Sequence, residues 1–423
     1  MPQLNGEKGN RLLTDDIIVK EALRLLKNSL VAARLVHRDL ERRFAKVGDT
    51  ISLQKPYRTK TAEGRVLQKQ PMTDLSIPFK IDRHRHFGLE VTQRDRTLSL
   101  EAFSERYLKS GIIQIANEID RSILLKLKQA WFSSGNPANP IKLKDFHLAK
   151  AFQGNVAVPD DGMRRAILNM VDAAEIADAI SNKYNEGMVK GAIQKGYMGP
   201  LAGYDLHESA NVPAHTVGNY AGTSLVKGAG QTGDTLVTDG WATGVTGLLK
   251  SGDVFTIDGV YEINPQSYES TGRLQHFVVQ SDANSDGTGE ATIQISPAIN
   301  DGSLETTNQA GDTISLAAYQ NVTNAPADNA AITVVGEAGS TFRQNFLFHR
   351  DAVALAMVDV ELPQSATVKS RVRDPDSGLS LAMTGAYDIN QHSEITRIDA
   401  IWGTDMIYGE LAHRIWTSGG TTT

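Results

Sequence analysis

The stretch AGTSLVKGAGQTGDTLVTDGW (residues 221–241) opens the segment that decides the architecture of this chain. From Ala221 to Thr341 there are three basic and fourteen acidic residues, a net charge of −11. The whole 423-residue chain carries −6, so the remainder carries +5. The acidic segment is rich in Gly, Thr, Asp and Asn and has no long run with helical periodicity, whereas its flanks do. This break in composition predicts an inserted β-domain.

Length and composition limit the class of protein. A chain of 423 residues is long enough for two or three domains of roughly 100–200 residues each. It contains no cysteine, which excludes disulfides and thiolate metal sites. The N-terminus lacks the apolar core of a signal peptide, and no run approaches the roughly 18 apolar residues that span a bilayer. We therefore expect a soluble, non-secreted protein.

The N-terminal segment has the pattern of an amphipathic helix with a basic face. Thr14 is a candidate N-cap, Asp15 and Asp16 follow it in the first turn, and apolar residues recur as far as Phe44. Two interpretations of the basic face stay open, a solvated surface and an interaction arm. The arginines of such an arm are Arg34, Arg38, Arg42 and Arg43.

Extended segments dominate from Gly48 to Val91. Three strand-like runs, around Leu53, Ile77 and Leu89, are separated by prolines and a glycine, as in a long hairpin. The residues from 50 to 85 include eight bases and three acids but few large apolar side chains. A long loop that cannot bury itself is expected to pack on something else.

Helices are expected on both sides of the acidic segment. Apolar residues recur near helical spacing over residues 100–132, after a candidate cap at Ser99, which predicts a spine helix of roughly 45–50 Å. An Ala-rich stretch at 162–181 predicts a second helix that packs closely on a sheet. Beyond the segment we expect a strand from Phe346, a helix through AVALAMVDV (352–360) and an alternating, β-rich tail.

Two motifs inside the acidic segment resemble ligand-binding loops. GAGQTG (228–233) matches the glycine pattern of dinucleotide-binding loops, but strand-like residues follow where a helix is required, which favours a plain loop. DANSDG (282–287) fits the first half of an EF-hand loop, with candidate calcium ligands at Asp282, Asn284 and Asp286. The twelfth position is Ile293 instead of an acid, so a hairpin tip is favoured and weak calcium binding stays open.

The remaining candidate residues do not form a catalytic signature. His84 and His86 alternate onto one face of a strand, but neighbouring arginines disfavour a bound cation. His207 and His215 lie on either side of Pro213 in a loop-like stretch that defines no ordered ligand set. There is no P-loop, H-E-x-x-H or G-x-S-x-G motif. We therefore expect no enzyme activity, no catalytic residue, no cofactor and no metal.

The order of these elements resembles the major capsid proteins of tailed bacteriophages with the HK97 fold, most closely the coat-protein family of phage P22. The residues that carry the resemblance are GPLAGYDLHES (199–209), the segment 346–360, RDPDSGLSL (373–381) and RIDAIWG (397–403). The resemblance implies an α+β, HK97-like capsid fold with an inserted β-barrel. Its parts would be an N-terminal arm (1–47), an E-loop (48–95), a P-domain with a long spine helix (96–160), a first part of the A-domain (161–220), the inserted I-domain (221–341) and a closing A-domain/P-domain segment (342–423).

The resemblance also implies a function. The protein would be the major capsid protein of a tailed double-stranded DNA phage, self-assembling through pentamers and hexamers into an icosahedral shell. Implied partners are other copies of the chain, a separate scaffolding protein, a portal protein and non-specifically packaged DNA, with decoration proteins as a further candidate and no membrane. The shell would form in the host cytoplasm and expand on maturation.

Two sets of basic residues follow from that function as candidate contacts. The basic hairpin is expected to cross an adjacent subunit and meet its acidic surfaces. The N-terminal arginines named above would face the lumen or the scaffolding protein. The candidate inter-subunit contacts are Lys55, Arg58, Lys60, Arg65 and Lys69.

Three other interpretations stay open at the sequence level. An encapsulin-like compartment would use the same fold to hold protein cargo. A calcium-dependent β-adhesin would centre on Asp282, Asn284 and Asp286. A dinucleotide-dependent enzyme would centre on residues 228–233.

Overall fold

The computed structural model describes residues 15–40, 50–55, 57–60, 64–65, 75–92, 104–181, 200–307, 313–366, 368–374, 377–389 and 393–418. Of the described residues, 22% are helical and 42% are in strands, which confirms the α+β class. None of its helices within these ranges is long and apolar enough to cross a membrane. The helices are α1 Asp15–Ser29, α2 Lys109–Leu127, α3 Leu143–Asn155 and α4 Met170–Ser181.

The strands fall into three large sheets and two small ribbons. In chain order they are β1 Thr50–Gln54, β2 Ser76–Lys80, β3 Arg83–Thr92, β4 Phe132–Gly135, β5 Arg164–Leu168, β6 Pro200–Leu201, β7 Tyr204–Glu208, β8 His215–Thr216, β9 Gly222–Val226, β10 Gly233–Trp241, β11 Val254–Ile263, β12 Ser270–Val279, β13 Ala291–Ile299, β14 Glu305–Thr307, β15 Thr313–Ser315, β16 Ile332–Val334, β17 Thr341–His349, β18 Val353–Met357, β19 Val368–Arg373, β20 Ser380–Asp388, β21 Ser393–Met406 and β22 Ala412–Thr417.

Contacts divide the chain into two compact units. The first comprises Met1–Ser52, Pro78–Ile123 and Ala354–Asp405, and the second comprises Leu53–Ile77, Leu124–Val353 and Met406–Thr423. Both units are therefore discontinuous in sequence, because the chain passes from one to the other several times.

A five-stranded sheet forms the framework of the first unit. Its strands run in the order β18-β21-β20-β19, and β3 pairs with β21 in antiparallel register from Arg83–Trp402 to Thr92–Ser393. Helix α1 lies on β19 and β20 and buries apolar residues three and four positions apart, which form one stripe of a helix. These buried residues are Ile18, Val19, Ala22, Leu23 and Leu26.

The predicted spine helix is present but shorter than expected. Its described part, a π-helical turn at Ser104–Leu108 followed directly by α2, ends at Leu127, and residues 100–103, where its start was predicted, lie outside the described residues. The expected end at Phe132 is wrong because that residue begins β4, which pairs in parallel with β22. Within the first unit, the indole Nε1 of Trp402 donates to Ser122 Oγ at 3.1 Å, which fixes the helix on the sheet.

Two other helix predictions are corrected by the structure. The run AVALAMVDV contains β18, whose residues Val353–Met357 are all fully buried. A continuous apolar run buried on every side does not distinguish a strand from a helix by its periodicity. In the Ala-rich stretch 162–181, the first residues form β5, and the helix begins only at Met170.

A seven-stranded sheet forms the framework of the second unit. Its order is β4-β22-β17-β5-β7-β6, with β8 also paired to β17. Helices α3 and α4 supply side chains to the core against this sheet, and α3 was not among the predicted helices. The fully buried members of this core include Phe146, Ala149, Ala166, Leu168, Ile176, Leu347 and Ile415.

A buried carboxylate joins α4 to the strands of this sheet. Asp172 is fully buried in the first turn of α4. Its Oδ1 accepts from Arg343 Nε at 3.0 Å and Nη2 at 2.8 Å. Its Oδ2 accepts from Asn345 Nδ2 at 2.6 Å and from Thr417 Oγ1 at 2.7 Å. One carboxylate thus connects α4, β17 and β22.

The acidic segment folds as the predicted β-domain. Six of its eight described strands form one sheet in the order β16-β11-β12-β13-β10-β9. Strand β9 meets the residues that lead into β16 through the Leu225–Ala331 bridge and the Val226 N to Ala330 O hydrogen bond of 3.0 Å. The sheet therefore closes on itself and removes its edges. Phe255, Phe277 and Ile293 lie in its buried core.

The two connections of this inserted domain run side by side. Val217 N donates to Ser340 O at 3.0 Å, and Gly339 N donates to Gly218 O at 3.0 Å. The chain therefore enters and leaves the inserted domain at one place.

Candidate functional site

The first basic residues of the predicted hairpin lie against other parts of the second unit. Strands β1 and β2 pair as a two-stranded ribbon, and Lys55 N continues it by donating to Leu75 O at 2.7 Å. We name residues 55–75, which connect the two strands, the basic loop. Its early residues Tyr57, Arg58 and Lys60 are half-buried.

Two of the five candidate inter-subunit bases contact their own chain. Arg58 Nη2 lies 3.0 Å from Glu410 Oε1 in an ion pair whose side chains are about a third and a quarter exposed. Lys60 Nζ donates to Gln320 Oε1 of the inserted domain at 2.8 Å. These contacts hold the start of the basic loop on the second unit, and each of them forms without the neighbouring subunit.

The other candidate bases lie differently. Lys55 is half-buried and Arg65 is exposed, whereas Lys69 lies outside the described residues. In the N-terminal segment, exposed Arg34 donates to the carbonyl of Lys27. Arg38 in the same segment is half-buried, whereas Arg42 and Arg43 lie outside the described residues.

The N-terminal segment is held by a buried carboxylate of α2. Helix α1 ends at Ser29, earlier than predicted, and a 3-10 turn follows at Ala32–Arg34. Asp120 is 2% exposed; its Oδ2 accepts from Val31 N at 2.7 Å and its Oδ1 from Ala33 N at 3.0 Å. Burial raises the pKa of Asp120, while the backbone donors act against that rise. The carboxylate therefore supplies the acceptors that the turn needs, and the helix stops there.

Replacing Asp120 with Ala is expected to release this turn. Two buried backbone N–H groups would lose their acceptor, at a cost of about 1–3 kcal/mol. Hydrogen exchange at the Val31 and Ala33 amides should accelerate at least about tenfold. The matched control is Glu118→Ala on the same helix, which removes a carboxylate that is 43% exposed. Unchanged protection of both amides in the Asp120 variant would contradict the role assigned to this residue.

A second buried carboxylate organises the entry to the inserted domain. Asp253 Oδ1 lies 2.7 Å from His215 Nε2, and its Oδ2 accepts from Gly218 N at 3.0 Å and Lys250 N at 2.7 Å. Both side chains of the His215–Asp253 pair are buried. Burial lowers the pKa of His215, although the hydrogen bond to Asp253 opposes the shift. A neutral imidazole that donates to the carboxylate fits this arrangement.

Two further histidines, half-buried His276 and buried His413, lie where β12 meets β4 and β22. His276 Nδ1 accepts from Ser133 N at 3.2 Å, and His413 Nε2 lies 2.8 Å from Ser134 Oγ. Burial lowers the pKa of His276 to about 3 and holds the pKa of His413 well below its usual range. Nearby Arg273 and Arg414 act in the same direction because a second positive charge is unfavourable beside them. We name His215, His276 and His413 the histidine set.

Arg414 gives this region an unusual buried cation. Its guanidinium is fully buried, donates from Nη1 to Gly252 O at 3.0 Å and lies 4.6 Å from the ring centre of Trp416. Burial lowers the pKa of Arg414 to about 9. The aromatic face and the carbonyl together replace part of the hydration that the cation loses.

The two ligand-like motifs of the acidic segment serve as hairpin connections. GAGQTG joins β9 to β10, and its Gln231 side chain donates to Val237 O at 2.9 Å and accepts from Val237 N at 2.7 Å. In DANSDG, which precedes β13, Asp282 accepts from Ser251 N, Asn284 from Gly247 N, and Asp286 from Glu290 N. These oxygens are already used as backbone acceptors, in agreement with the loop interpretations.

The histidines flagged in the sequence do not come together as one ligand set. His84 Nε2 lies 2.7 Å from Asp399 Oδ1 on the sheet of the first unit, with the His86 ring 6.4 Å away. His207 lies on β7, whereas His215, which pairs with Asp253, lies on β8. Over the described part of the chain, no group of three or more His, Asp or Glu side chains is placed to hold a metal ion.

Comparison with known proteins decides the family. A model of the P22 coat protein family, described as "P22 coat protein - gene protein 5", matches residues 9–412. The chain belongs to the P22 coat protein family. No curated protein matches this sequence significantly.

Solved phage structures are similar to this coat protein at low identity. A structure from Mycobacterium phage Che8 is 13% identical, with a TM-score of 0.44, and the match covers 91% of this chain and 90% of that one. The capsid of Cyanophage P-SCSP1u is 9% identical, with a TM-score of 0.44 and coverage of 99% and 93%. The CUS-3 coat protein I-domain is 28% identical, with a TM-score of 0.19 and coverage of 28% and 98%.

Membership of the coat-protein family settles the broad function. The protein is a major capsid protein of a tailed phage, a structural component of the virion shell that assembles with other copies of itself, and not an enzyme. The family assignment favours the phage coat over the encapsulin-like compartment, the adhesin and the dinucleotide enzyme. The HK97-like fold with an inserted domain, inferred from the order of elements, is confirmed.

Sequence reasoning missed the residues that hold this coat protein together internally. Asp120, Asp172 and Asp253 are isolated acids in sequence, and each contacts backbone or side chains from distant segments. Asp172 gave no signal of this role, because the helix predicted over 162–181 placed it in mid-helix, and only the observed start at Met170 puts it in the first turn, where an acid is favoured. The partners of Asp120 are backbone N–H groups, and those of Asp253 are two backbone N–H groups and His215. No side-chain pattern in the sequence reveals the backbone partners.

Proposed function

We propose that this coat protein assembles with a separate scaffolding protein into a precursor shell of pentamers and hexamers, in the host cytoplasm, and that the shell expands around packaged double-stranded DNA. The observation that carries the proposal is the family match over residues 9–412. A portal protein would occupy one vertex, and decoration proteins are a further candidate partner. Rotation of rigid units about their interfaces is the usual way in which such assemblies change size.

The basic loop is the part of the chain proposed to bind a neighbouring subunit. Arg58 and Lys60 already contact Glu410 and Gln320 of their own chain. We therefore assign the inter-subunit contact to Lys55 and to the later bases Arg65 and Lys69. Each exposed ion pair contributes about 0–1 kcal/mol, so a shell held by many such pairs forms reversibly and corrects errors during assembly.

The N-terminal arginines are proposed to face the shell interior. Arg34, Arg38, Arg42 and Arg43 would contact the scaffolding protein first and the packaged DNA afterwards. Both partners would be bound through charge and not through sequence-specific contacts, because the segment lacks aromatic residues interleaved with its bases.

Expression of the chain with and without its scaffolding protein tests this proposal. Closed, uniform shells are expected with scaffold, and irregular shells or free subunits without it, as judged by sedimentation and negative-stain images. Raising the salt from about 0.1 M to about 1 M shortens the Debye length from about 10 Å to about 3 Å, so the yield of shells should fall. A small species of uniform size under all conditions would refute scaffold-dependent assembly, and a salt-independent yield would refute the ionic contact of the basic loop.

A further inference from the structure

The start of the basic loop rests on a surface built by the inserted domain. Lys60 Nζ lies 4.3 Å from the ring centre of Tyr268 and bonds Gln320 at 2.8 Å. The Arg58 guanidinium carbon lies 5.8 Å from the ring centre of Tyr319. We name Tyr268, Tyr319 and Gln320 the tyrosine clip. Cations over aromatic faces are attracted by about 0.5–1 kcal/mol at exposed sites and about 2 kcal/mol when desolvated.

The clip is held in position independently of the basic loop. The Tyr268 hydroxyl donates to Ala318 O at 2.9 Å, and Tyr268 N donates to Asn264 O at 2.8 Å. Tyr268 has a φ of +59°, a left-handed conformation that bulky residues seldom adopt. Such a conformation persists only where the surroundings enforce it. The inserted domain therefore presents the Tyr268 ring in a fixed direction.

Close packing does not hold the loop at this place. A cavity of about 850 Å³ lies within the second unit and is lined by Arg58, Tyr268, Tyr319 and Glu410 together with Trp131 and other residues. A segment that lies beside a cavity makes fewer van der Waals contacts with the rest of the protein, so packing stabilises its position less. The positions of Arg58 and Lys60 are thus stabilised by their contacts with the clip and by the Arg58–Glu410 ion pair.

Charge is complementary between the two parts. The inserted domain carries a net charge of −11, whereas the basic loop contributes the cations that reach it. An acidic domain of this kind attracts the basic segment of its own chain at a high effective concentration, because both belong to one polypeptide.

We propose that the tyrosine clip binds the basic loop of its own chain through Arg58 and Lys60, and that this binding fixes the direction of the loop in the free subunit and in the shell. The inserted domain would then contribute to assembly by orienting the basic loop so that Arg65 and Lys69 can contact the neighbouring subunit. This last consequence rests on the proposed function, whereas the clip itself is a property of the single chain.

The absence of native cysteine permits a direct cross-linking test. In the double variant Lys60→Cys/Gln320→Cys, a short bismaleimide should join the two thiols within one chain. Mixing isotopically labelled and unlabelled subunits before assembly separates the two cases in the mass spectrum. Linked peptides of uniform label, in free subunits and in shells, are the expected result, and peptides of mixed label in the shells would overturn the proposal by showing exchange between neighbours. The two single variants, Lys60→Cys and Gln320→Cys, serve as controls and should give no peptide linked between positions 60 and 320.

A second measurement does not require shells. Lys60→Met keeps the length of the side chain and removes its charge, so chymotryptic cleavage within residues 55–75 should accelerate about tenfold. Arg65→Met is the matched control in the same loop, and it should leave the cleavage rate unchanged. Unchanged cleavage in the Lys60 variant, with a native circular dichroism spectrum, would also overturn the proposal. If the cross-link forms in free subunits but no shells form with scaffold, the proposed function fails and the clip stands.

Discussion

Lowering the pH from 7 to 5 is expected to reduce the free energy of unfolding of the free subunit by about 4 kcal/mol. The loss comes from His276 and His413, whose pKa values lie far below that of an exposed histidine because the rings are buried beside Arg273 and Arg414. In the unfolded chain each imidazole takes up a proton near pH 6.5, whereas the native rings stay neutral. His215 adds to the loss in the same direction.

The pH window follows from the direction of these shifts. The unfolded state binds more protons than the native state, so the contribution is fully present above about pH 6.5 and is lost as the pH falls below that value. For His276 the loss continues to about pH 3, where the native ring also takes up a proton. Carboxylates with lowered pKa values, such as Asp161 and Asp286, add to the loss only below about pH 4.

Urea unfolding at pH 7 and pH 5, followed by tryptophan fluorescence, measures this loss. His276→Gln should reduce the difference between the two pH values by about 2 kcal/mol, because one imidazole that is neutral in the native state is removed. His86→Gln is the matched control, since His86 is exposed, and it should leave the difference unchanged. Equal stability of the wild-type subunit at both pH values would refute the neutral state assigned to the histidine set.

Replacing Asp172 with Ala is expected to lower the free energy of unfolding by about 3–5 kcal/mol. The variant leaves the Arg343 guanidinium with Glu175 at 3.6 Å as its remaining described ion pair. It also removes the acceptor used by Asn345 and Thr417. Since these groups lie on β17 and β22, the loss should appear as cooperative destabilisation of the second unit.

Two further variants show whether the charge or the shape of Asp172 matters. Asp172→Asn keeps the size of the side chain and should cost less than Ala, because one amide oxygen still accepts. Asp178→Ala on the exposed side of the same helix should change stability by less than about 1 kcal/mol. Urea denaturation of all three proteins measures these differences. A loss below about 1 kcal/mol for Asp172→Ala would contradict the role of the buried carboxylate.

The inserted domain and the α+β class could be predicted from sequence because composition reports them directly. An acidic, Gly- and Thr-rich segment bounded by helical periodicity leaves few alternatives to a β-domain. The same reasoning failed for β18 because Val353–Met357 is buried on every side and has no polar face to reveal its period. The end of α2 was also predicted too late in the sequence. Phe132 has the apolar spacing of the preceding helix, but it begins β4 and pairs with β22.

The contacts of the basic loop could not be predicted in the same way. Charge alone indicated that Arg58 and Lys60 would meet acidic groups, yet Lys60 contacts Tyr268 and Gln320, which are neutral. Tyrosine and glutamine carry no signal of partnership in a sequence. The positions of Tyr268 and Gln320 depend on the folded barrel and on the left-handed backbone conformation of Tyr268. Neither can be read from the sequence.

The paired connections of the inserted domain bear on how this protein could have evolved. Because residues 217–218 and 339–340 are hydrogen-bonded neighbours, the barrel is joined to the host sheet as a closed loop between β8 and β17. The entropy of closing a loop grows only slowly with its length, so a domain gained or lost at this point adds little cost from loop closure itself. The contacts of the barrel with the sheet, such as Arg414 Nη1 to Gly252 O, have to be replaced as well. The same place would accept a foreign domain whose ends lie close together, and a shell could then carry cargo of another origin on every subunit.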